Sequence, residues 1–565
     1  MAPASEPVAR RRDALTLGAA SVMVAFTFFI LITGGGQISL GGLTLSAHDW
    51  RRPASLAAVL LIVGGVRASR AWARSTWLDR AAADAALFTL ATITLVMNSL
   101  WWFYLVKACG GLDSHGYVSA AELLTTGHLS VTQPIAAWLP FPGAIDAATP
   151  LGWVPALAGP ESVPRYPLGL PLVMALFREI GGAGAVFYVS PVLASATLVL
   201  IYFIVRRAGG VLDAALATAL VAVHPVFFTY ALQPMSDVPA TFWIVLAVFL
   251  LTRARAWPVA SGLAAGMAML TRPVLGLDAI VLAVAARRGR PRDDVRFALG
   301  FGSLLIVQLL VSAALYGRAT GSGYGDAANL FAIEAIPRNV AMYAKWFLRL
   351  QTPLVPAVVA AAWLVGDRFV RTAFLLFAAV AAPYLLYVPF FDDWETLRFL
   401  LPGLVFLLMA AAHAATRLLD RLVPAAVAAL LVIVLAIGAA AGSVVYLRER
   451  QVFRLWAAES KYPAVAEWVS SHGDANAVVF ASLHSGSVHY YSGRTTVRWD
   501  RIPADRLAST VASIGSRGSR MFLVLDGNAE REEFQQRFGS DPSGVRIEFV
   551  DRVRDVSLAT VQSRN

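Results

Sequence analysis

The chain has 565 residues, of which 58% are hydrophobic and only 15% charged, with 47 Lys and Arg against 36 Asp and Glu for a net charge of +11. Ordinary globular chains are about a quarter charged, so this composition excludes a soluble globular protein, a disordered chain, collagen, a coiled coil and a disulfide scaffold, and leaves a polytopic membrane protein. The basic balance does not require nucleic acid, because arginines held on one side of a bilayer produce it too.

A bilayer core about 30 Å thick takes about 20 apolar residues per helix. The first apolar run, after Arg10, Arg11 and Arg12, is too long for a signal peptide and lacks a small-residue cleavage site. Clear runs are Ala14–Thr33, Ala82–Val106, Ala185–Val205, Val211–Thr229, Val238–Leu251, Phe297–Leu315, Ala373–Pro389, Phe399–Ala415 and Val423–Tyr446. Shorter ones are Ala54–Val66, Val259–Leu270, Val274–Ala286 and Leu354–Val365. Together they predict about 13 spans.

With a cytoplasmic N-terminus, every second connection is Arg-rich. The inner ones carry Arg67, Arg70, Arg74 and Arg80, then Arg206 and Arg207, Arg253 and Arg255, Arg287, Arg288, Arg290 and Arg292, Arg368 and Arg371, and Arg417 and Arg421. This is the positive-inside pattern, with Arg51 and Arg52 as exceptions, and it predicts an odd span count and an external C-terminus. Two outer connections are long: 107–184, rich in proline, and 316–352. Large ordered loops on one face point to function there.

Beyond Arg450 the character changes. Strand-like runs Ala477–Ser482, Met521–Asp526, Val545–Asp551 and Val556–Val561 alternate with helix-like Pro463–Ser471, Ala504–Ile514 and Glu530–Phe538, which predicts a soluble α/β domain of about 115 residues. The expected organisation is an N-terminal pair of spans (1–80), a helical membrane core (81–448) and an external α/β domain (449–565). No internal repeat is present to suggest a transporter of two related halves.

Chemistry concentrates on the outer face. Gly110-Gly111-Leu112-Asp113-Ser114-His115-Gly116-Tyr117 follows the third span and leads into an amphipathic stretch, 118–129, able to lie along the interface. Asp113 there is either a base for an acceptor hydroxyl or a helix-capping acid. Asp237, before Pro239, offers the same two readings. Arg272, in Gly262-Leu263-Ala264-Ala265-Gly266-Met267-Ala268-Met269-Leu270-Thr271-Arg272-Pro273, lies against the positive-inside trend. It either grips a phosphate or snorkels to headgroups. Arg165-Tyr166-Pro167-Leu168-Gly169 closes the first loop, Trp394-Glu395-Thr396-Leu397-Arg398-Phe399-Leu400-Leu401-Pro402 opens a late span, and Lys345 adds a cation in the second loop. Acids and cations gathered on one face suit an anionic lipid-linked substrate.

These elements, Asp-x-x-x-Tyr at 113–117, Arg-Tyr-Pro-Leu-Gly at 165–169, Gly-Leu-Ala-x-Gly-x-x-x-Leu-Thr-Arg-Pro at 262–273 and Arg-Phe-Leu-Leu-Pro at 398–402, occur in order and resemble GT-C glycosyltransferases. They are most similar to the bacterial branch related to protein O-mannosyltransferases and lipid A aminoarabinose transferases, over roughly Ala81 to Tyr446. The resemblance implies transfer of a sugar from a polyprenyl-phosphate donor to a cell-envelope glycan, lipid or protein at the outer face of the bacterial cytoplasmic membrane, with inversion of stereochemistry. It implies Asp113 as general base and Asp237 as a second catalytic or acceptor-placing acid. Arg165, Tyr166, Arg272, Arg398, Lys345, Tyr117 and His115 would then shape the donor and lipid-phosphate site. Ser114 departs from relatives that carry a second acid beside the first, so no paired-carboxylate metal site and no cofactor are expected. The histidines match no metal-ligand spacing, Cys109 is the only cysteine, and no glycine motif supports nucleotide-sugar use. The alternatives are a transporter or flippase of a lipid-linked solute, working through Asp278 and Asp213, and a non-catalytic relative whose terminal domain binds a partner.

Overall fold

A backbone in hydrocarbon must satisfy its own polar groups, so long apolar runs become helices there. The computed structural model describes Met23 and residues 36–40, 43–47, 76–252, 257–286, 291–351 and 354–564. Two short strands, β1 (Gly36–Leu40) and β2 (Leu43–Ala47), pair antiparallel near the N-terminus. Apart from Met23, the predicted spans Ala14–Thr33 and Ala54–Val66 lie outside the described residues, as do Arg51, Arg52, Arg67, Arg70, Arg74, Arg253, Arg255, Arg287, Arg288 and Arg290.

The membrane core begins with α1 (Thr76–Phe103). The first long loop holds α2 (Asp113–Thr125), a small antiparallel sheet of β3 (Val131–Thr132), β4 (Trp153–Pro155) and β5 (Glu161–Pro164), and α3 (Gly169–Gly181). Then come α4 (Val189–Ala208), α5 (Val211–Val223), α6 (Pro225–Ala231), α7 (Asp237–Thr252), α8 (Pro258–Thr271), α9 (Gly276–Ala286) and α10 (Pro291–Tyr316). The core ends with α11 (Ile336–Gln351), α12 (Leu354–Val365), α13 (Arg368–Leu385), α14 (Leu401–Leu422) and α15 (Ala425–Glu449).

Six described helices are long and apolar enough to cross a membrane, up to eight if each of two bent pairs is one span, and three shorter apolar helices accompany them. Each predicted span within the described residues falls on one of these helices. The 66° bend between α5 and α6 sits at Pro225, where His224 takes extended dihedrals because a residue before proline avoids the helical region.

Close packing explains part of the sequence pattern. Gly262 of α8 and Gly300 of α10 face each other: a Cβ on the first would stand 2.2 Å from the Phe297 carbonyl, and on the second 2.2 Å from that of Val259. Small residues let two membrane helices approach to backbone contact, and this crossing fixes the end of α8, where Arg272 emerges. Helix polarity puts the starts of α2, α7 and α14 and the end of α8 at one end of the bundle. At the opposite end His413 of α14 bridges Asp213 (2.8 Å) and Asp367 (3.3 Å), tying three helices together. The Asp213 of the transporter reading is therefore part of a helix tie.

The C-terminal region contains α16 (Lys461–His472), β6 (Val478–Ala481), α17 (Ser485–Ser492), β7 (Thr495–Val497), α18 (Leu507–Gly515), β8 (Met521–Asp526), α19 (Gly527–Phe538), β9 (Val545–Val553) and β10 (Val556–Ser563). The five strands form one mixed sheet in the order β7-β6-β8-β10-β9, with β6 parallel to β7 and β8 and β10 antiparallel to both neighbours. Alternate residues fill opposite faces, as a strand requires. Val479, Ala481, Phe522 and Val524 pack on α16, while Val478, Phe480, Leu523 and Leu525 pack on α18 and α19. The second of these cores also contains Ile135, Leu139, Phe141, Ala147 and Ala148 of the first long loop. Loop and terminal domain thus share one hydrophobic interior.

Candidate active site

The site is built at the bundle end that carries the long loop. Gly110 and Gly111 form the turn into α2: Gly111 adopts φ +59, and a Cβ on Gly110 would lie 2.0 Å from the Tyr462 ring. Ser114 closes the turn, its Oγ donating to the Gly110 carbonyl (2.9 Å) and accepting the Gly110 N–H (3.1 Å). Asp113 is the first residue of α2 and makes no capping bond. Its carboxylate instead accepts from the Tyr166 hydroxyl at 2.6 Å and from Arg398 at 3.0 Å. Burial first, and then the Asp113 charge, push the Tyr166 phenol well above its ordinary range, so Tyr166 remains a donor.

Behind this pair stands a second one. Arg272 donates to Asp237 at 2.5 Å, to Ser236 Oγ at 3.3 Å and to the Arg398 carbonyl at 3.2 Å. Tyr117 donates to the same Ser236 Oγ at 3.0 Å, and burial keeps its phenol protonated. The two ion pairs differ in access. Arg398 and Asp113 have side chains 24% and 26% exposed, whereas Arg272 and Asp237 stand at 10% and 1%. Asp113 and Arg398 are therefore the more accessible pair, with Asp237 and Arg272 held inside the protein behind them. Arg272 neither snorkels nor stands open to a phosphate: Asp237 engages it inside the protein.

The motifs lock these segments together. Gly169, which closes Arg165-Tyr166-Pro167-Leu168-Gly169, lies against the α8 terminus, where a Cβ would stand 2.4 Å from the Thr271 nitrogen. Arg165 has no carboxylate partner among the described residues and lies over the Tyr324 ring at 5.9 Å. Tyr166 packs between Tyr117 (4.7 Å) and Tyr324 (5.8 Å), while Phe399 lies beneath both Arg272 and Arg398.

Two anticipated residues lie elsewhere. Lys345 pairs with Asp392 at 2.7 Å on an exposed stretch of α11. His115 is fully buried against Gly486 and Tyr490 of the terminal domain, and burial lowers its pKa to about 3. It is a neutral packing residue. The first half of the stretch after Asp113 is likewise not free to lie on an interface, since Val118, Ala120 and Ala121 are buried and α2 packs on α3 and α17, while Thr126, Gly127 and His128 beyond it are exposed.

Ser236, Tyr230, Glu395 and Tyr324 were not singled out in the sequence. Tyr230 bonds Glu395 at 3.4 Å and lies under Arg398 at 5.6 Å. Tyr324 did carry a signal, being flanked by Gly323 and Gly325 in the second long loop; Gly323 lies directly against the Arg165 backbone. Among the described residues no group of three or more His, Cys, Asp or Glu stands ready to hold a metal ion.

Residues 164–316, which include Arg165, Tyr166, Asp237 and Arg272, match the family model described as dolichyl-phosphate-mannose-protein mannosyltransferase. ArnT from Cupriavidus metallidurans bound to undecaprenyl phosphate has a similar structure, with a TM-score of 0.52 at 13% identity over 83% of this chain and 97% of that one. Its apo state gives 0.53 at 13% identity over the same shares. The Archaeoglobus fulgidus oligosaccharyltransferase in complex with Zn and sulfate gives 0.50 at 11% identity over 77% of this chain and 68% of that one. At these identities the structures speak to the fold. No curated protein matches the chain. The residues that match the mannosyltransferase family model thus lie inside a membrane-protein fold similar to that of ArnT.

Proposed function

We propose that the chain transfers a glycosyl group from a polyprenyl-phosphate donor to an acceptor at the outer face of the cytoplasmic membrane, in one inverting displacement. The observation that carries this reading is the partly open Asp113–Arg398 pair, backed by the buried Asp237–Arg272 pair. The similar ArnT was crystallised with undecaprenyl phosphate, and the uncommitted cation here suits such a phosphate.

In this mechanism the acceptor oxygen attacks the anomeric carbon while its proton passes to Asp113. The C–O bond to the lipid phosphate breaks, and the phosphate leaves with increased negative charge. Cations that bind the leaving phosphate more strongly than the intact ester lower the barrier. Arg165 and Arg398 fill that role, with Arg272 holding Arg398 by its backbone carbonyl. Tyr166, kept protonated, fixes the orientation of the Asp113 carboxylate.

The test uses purified protein in detergent with undecaprenyl-phosphate-linked hexoses and pentoses, reading release of undecaprenyl phosphate. Turnover of at least one donor is expected. Tight binding of undecaprenyl phosphate with no turnover of any donor, in the presence of envelope extracts as acceptors, would contradict the assignment.

A further inference from the structure

The turn that presents Asp113 is held from two sides. Tyr166 and Arg398 hold the carboxylate itself. The backbone four residues upstream is held by the terminal domain, more than 300 residues away in sequence. The Tyr491 hydroxyl accepts the Cys109 N–H at 2.9 Å and lies 3.3 Å from its Sγ. The Tyr462 ring lies on Gly110 so closely that no side chain fits there, and Leu483 reaches Gly111. Gly486 and Tyr490 close over His115, and Ser485 Oγ accepts the Leu151 N–H at 3.0 Å.

Tyr462 is itself fixed. Its ring packs on His484 at 4.7 Å, and neighbouring Lys461 is bound to Asp526 at 2.8 Å. Glu530 accepts the N–H groups of both Leu483 (2.8 Å) and Asp526 (2.7 Å), joining the ends of parallel strands β6 and β8. The ends of two interior strands are thus anchored against the glycine-paired turn of the site.

On the glycosyl-transfer reading above, we propose that the terminal domain is a positioning component of the active site. Tyr491 and Tyr462 hold the Cys109–Asp113 turn so that the Asp113 carboxylate meets the acceptor hydroxyl. Displacement of a reacting group by about 1 Å costs about 100-fold in rate, so small movements of this turn matter while donor binding, which uses other segments, is spared.

The only cysteine reports the docking. Cys109 is fully buried, and burial raises its thiol to about 12, so a docked domain leaves it inert. The experiment uses the full-length protein and N-ethylmaleimide. Tyr491→Ala is expected to speed labelling of Cys109 at least about tenfold. Its kcat should fall about 10- to 100-fold, with the donor KM and undecaprenyl phosphate affinity within about twofold. The distal Arg564→Ala, which removes only a surface pair with Asp541, serves as control and should change neither labelling nor turnover.

A complementary pair guards against a simple folding defect. Gly110→Ala should cost at least about tenfold more turnover with Tyr462 present than in a Tyr462→Ala background, because the clash is with that ring. Faster labelling with unchanged kcat overturns the positioning role, and unchanged labelling in Tyr491→Ala overturns the docking itself. Should no donor turn over even in the wild type, the glycosyl-transfer reading fails, while the labelling still judges the docking.

Discussion

Asp237→Asn is the perturbation whose size follows most directly from the geometry. The Asp237 side chain is 1% exposed and meets Arg272 at 2.5 Å, and the guanidinium is itself 10% exposed. Asparagine keeps the shape and one acceptor oxygen but leaves a buried cation without its counter-charge. Removing one partner of a buried pair costs about 3–5 kcal/mol. The retained Ser236 and Arg398 carbonyl contacts to Arg272 place this case near the lower end, about 3 kcal/mol. The assay is unfolding in mixed detergent–SDS micelles, followed by tryptophan fluorescence, for the wild type, Asp237→Asn, Arg272→Gln and the double variant. The two single changes should not add: the double variant should be less destabilised than their sum by about 1–3 kcal/mol. Additive effects, or an Asp237→Asn variant within about 0.5 kcal/mol of the wild type, would refute the claim that this pair is buried and coupled.

Further outcomes follow from the same contacts. Arg165→Ala should weaken undecaprenyl phosphate binding by about 1.5–3 kcal/mol, as loss of a charged hydrogen bond does, while leaving the melting temperature unchanged because Arg165 has no carboxylate partner among the described residues; isothermal titration and a thermal melt check both. Gly169→Ala forces a Cβ to 2.4 Å from the Thr271 nitrogen, so it should destabilise by about 1–3 kcal/mol, and an unchanged melt would show that the motif glycine is not needed for close approach. Glu530, in the terminal domain, is raised by burial to about 7. The folded state therefore holds a proton that the unfolded state has released, and its contribution to stability is lost as pH rises from about 4.5 through about 7. The difference in melting temperature between the wild type and Glu530→Gln should accordingly shift in favour of the variant between pH 5 and pH 8, and a pH-independent difference would contradict the shifted titration.

Much of this architecture could be read from local pattern, and the reasons differ by element. A span needs only a long apolar run, so hydropathy located the helices, whereas the bend at Pro225 lies inside Val211–Thr229, which reads as one run. The glycines of the 262–273 segment belong to a motif that carries the family resemblance, whereas the packing of Gly262 against α10 emerges only in the fold. Sheet alternation located β6, β8, β9 and β10, whereas three-residue β7 and eight-residue α17 were too short for any period to register. The partner of Arg272 could not be inferred, since nothing local distinguishes an arginine that meets a lipid from one held by an acid 35 residues away. The shared core of Ile135, Phe141 and Ala148 with Phe480 and Val511 was also hidden. Each half reads as an ordinary apolar patch until the chain brings them together. Lys345 and His115 were misplaced for the same reason: the first has Asp392 and the second a covering domain.

The proposed mechanism requires Asp113 to receive the acceptor proton, and Asp113→Asn measured for undecaprenyl phosphate binding and turnover tests it most directly. Asparagine keeps the shape and one acceptor oxygen for Arg398, and its NH2 can donate to the Tyr166 oxygen, so the fold and the donor affinity should stay within about twofold of wild type. The rate of glycosyl transfer should fall by about 100- to 10,000-fold, the usual contribution of a general base. A folded Asp113→Asn protein that transfers sugar at the wild-type rate would contradict the mechanism.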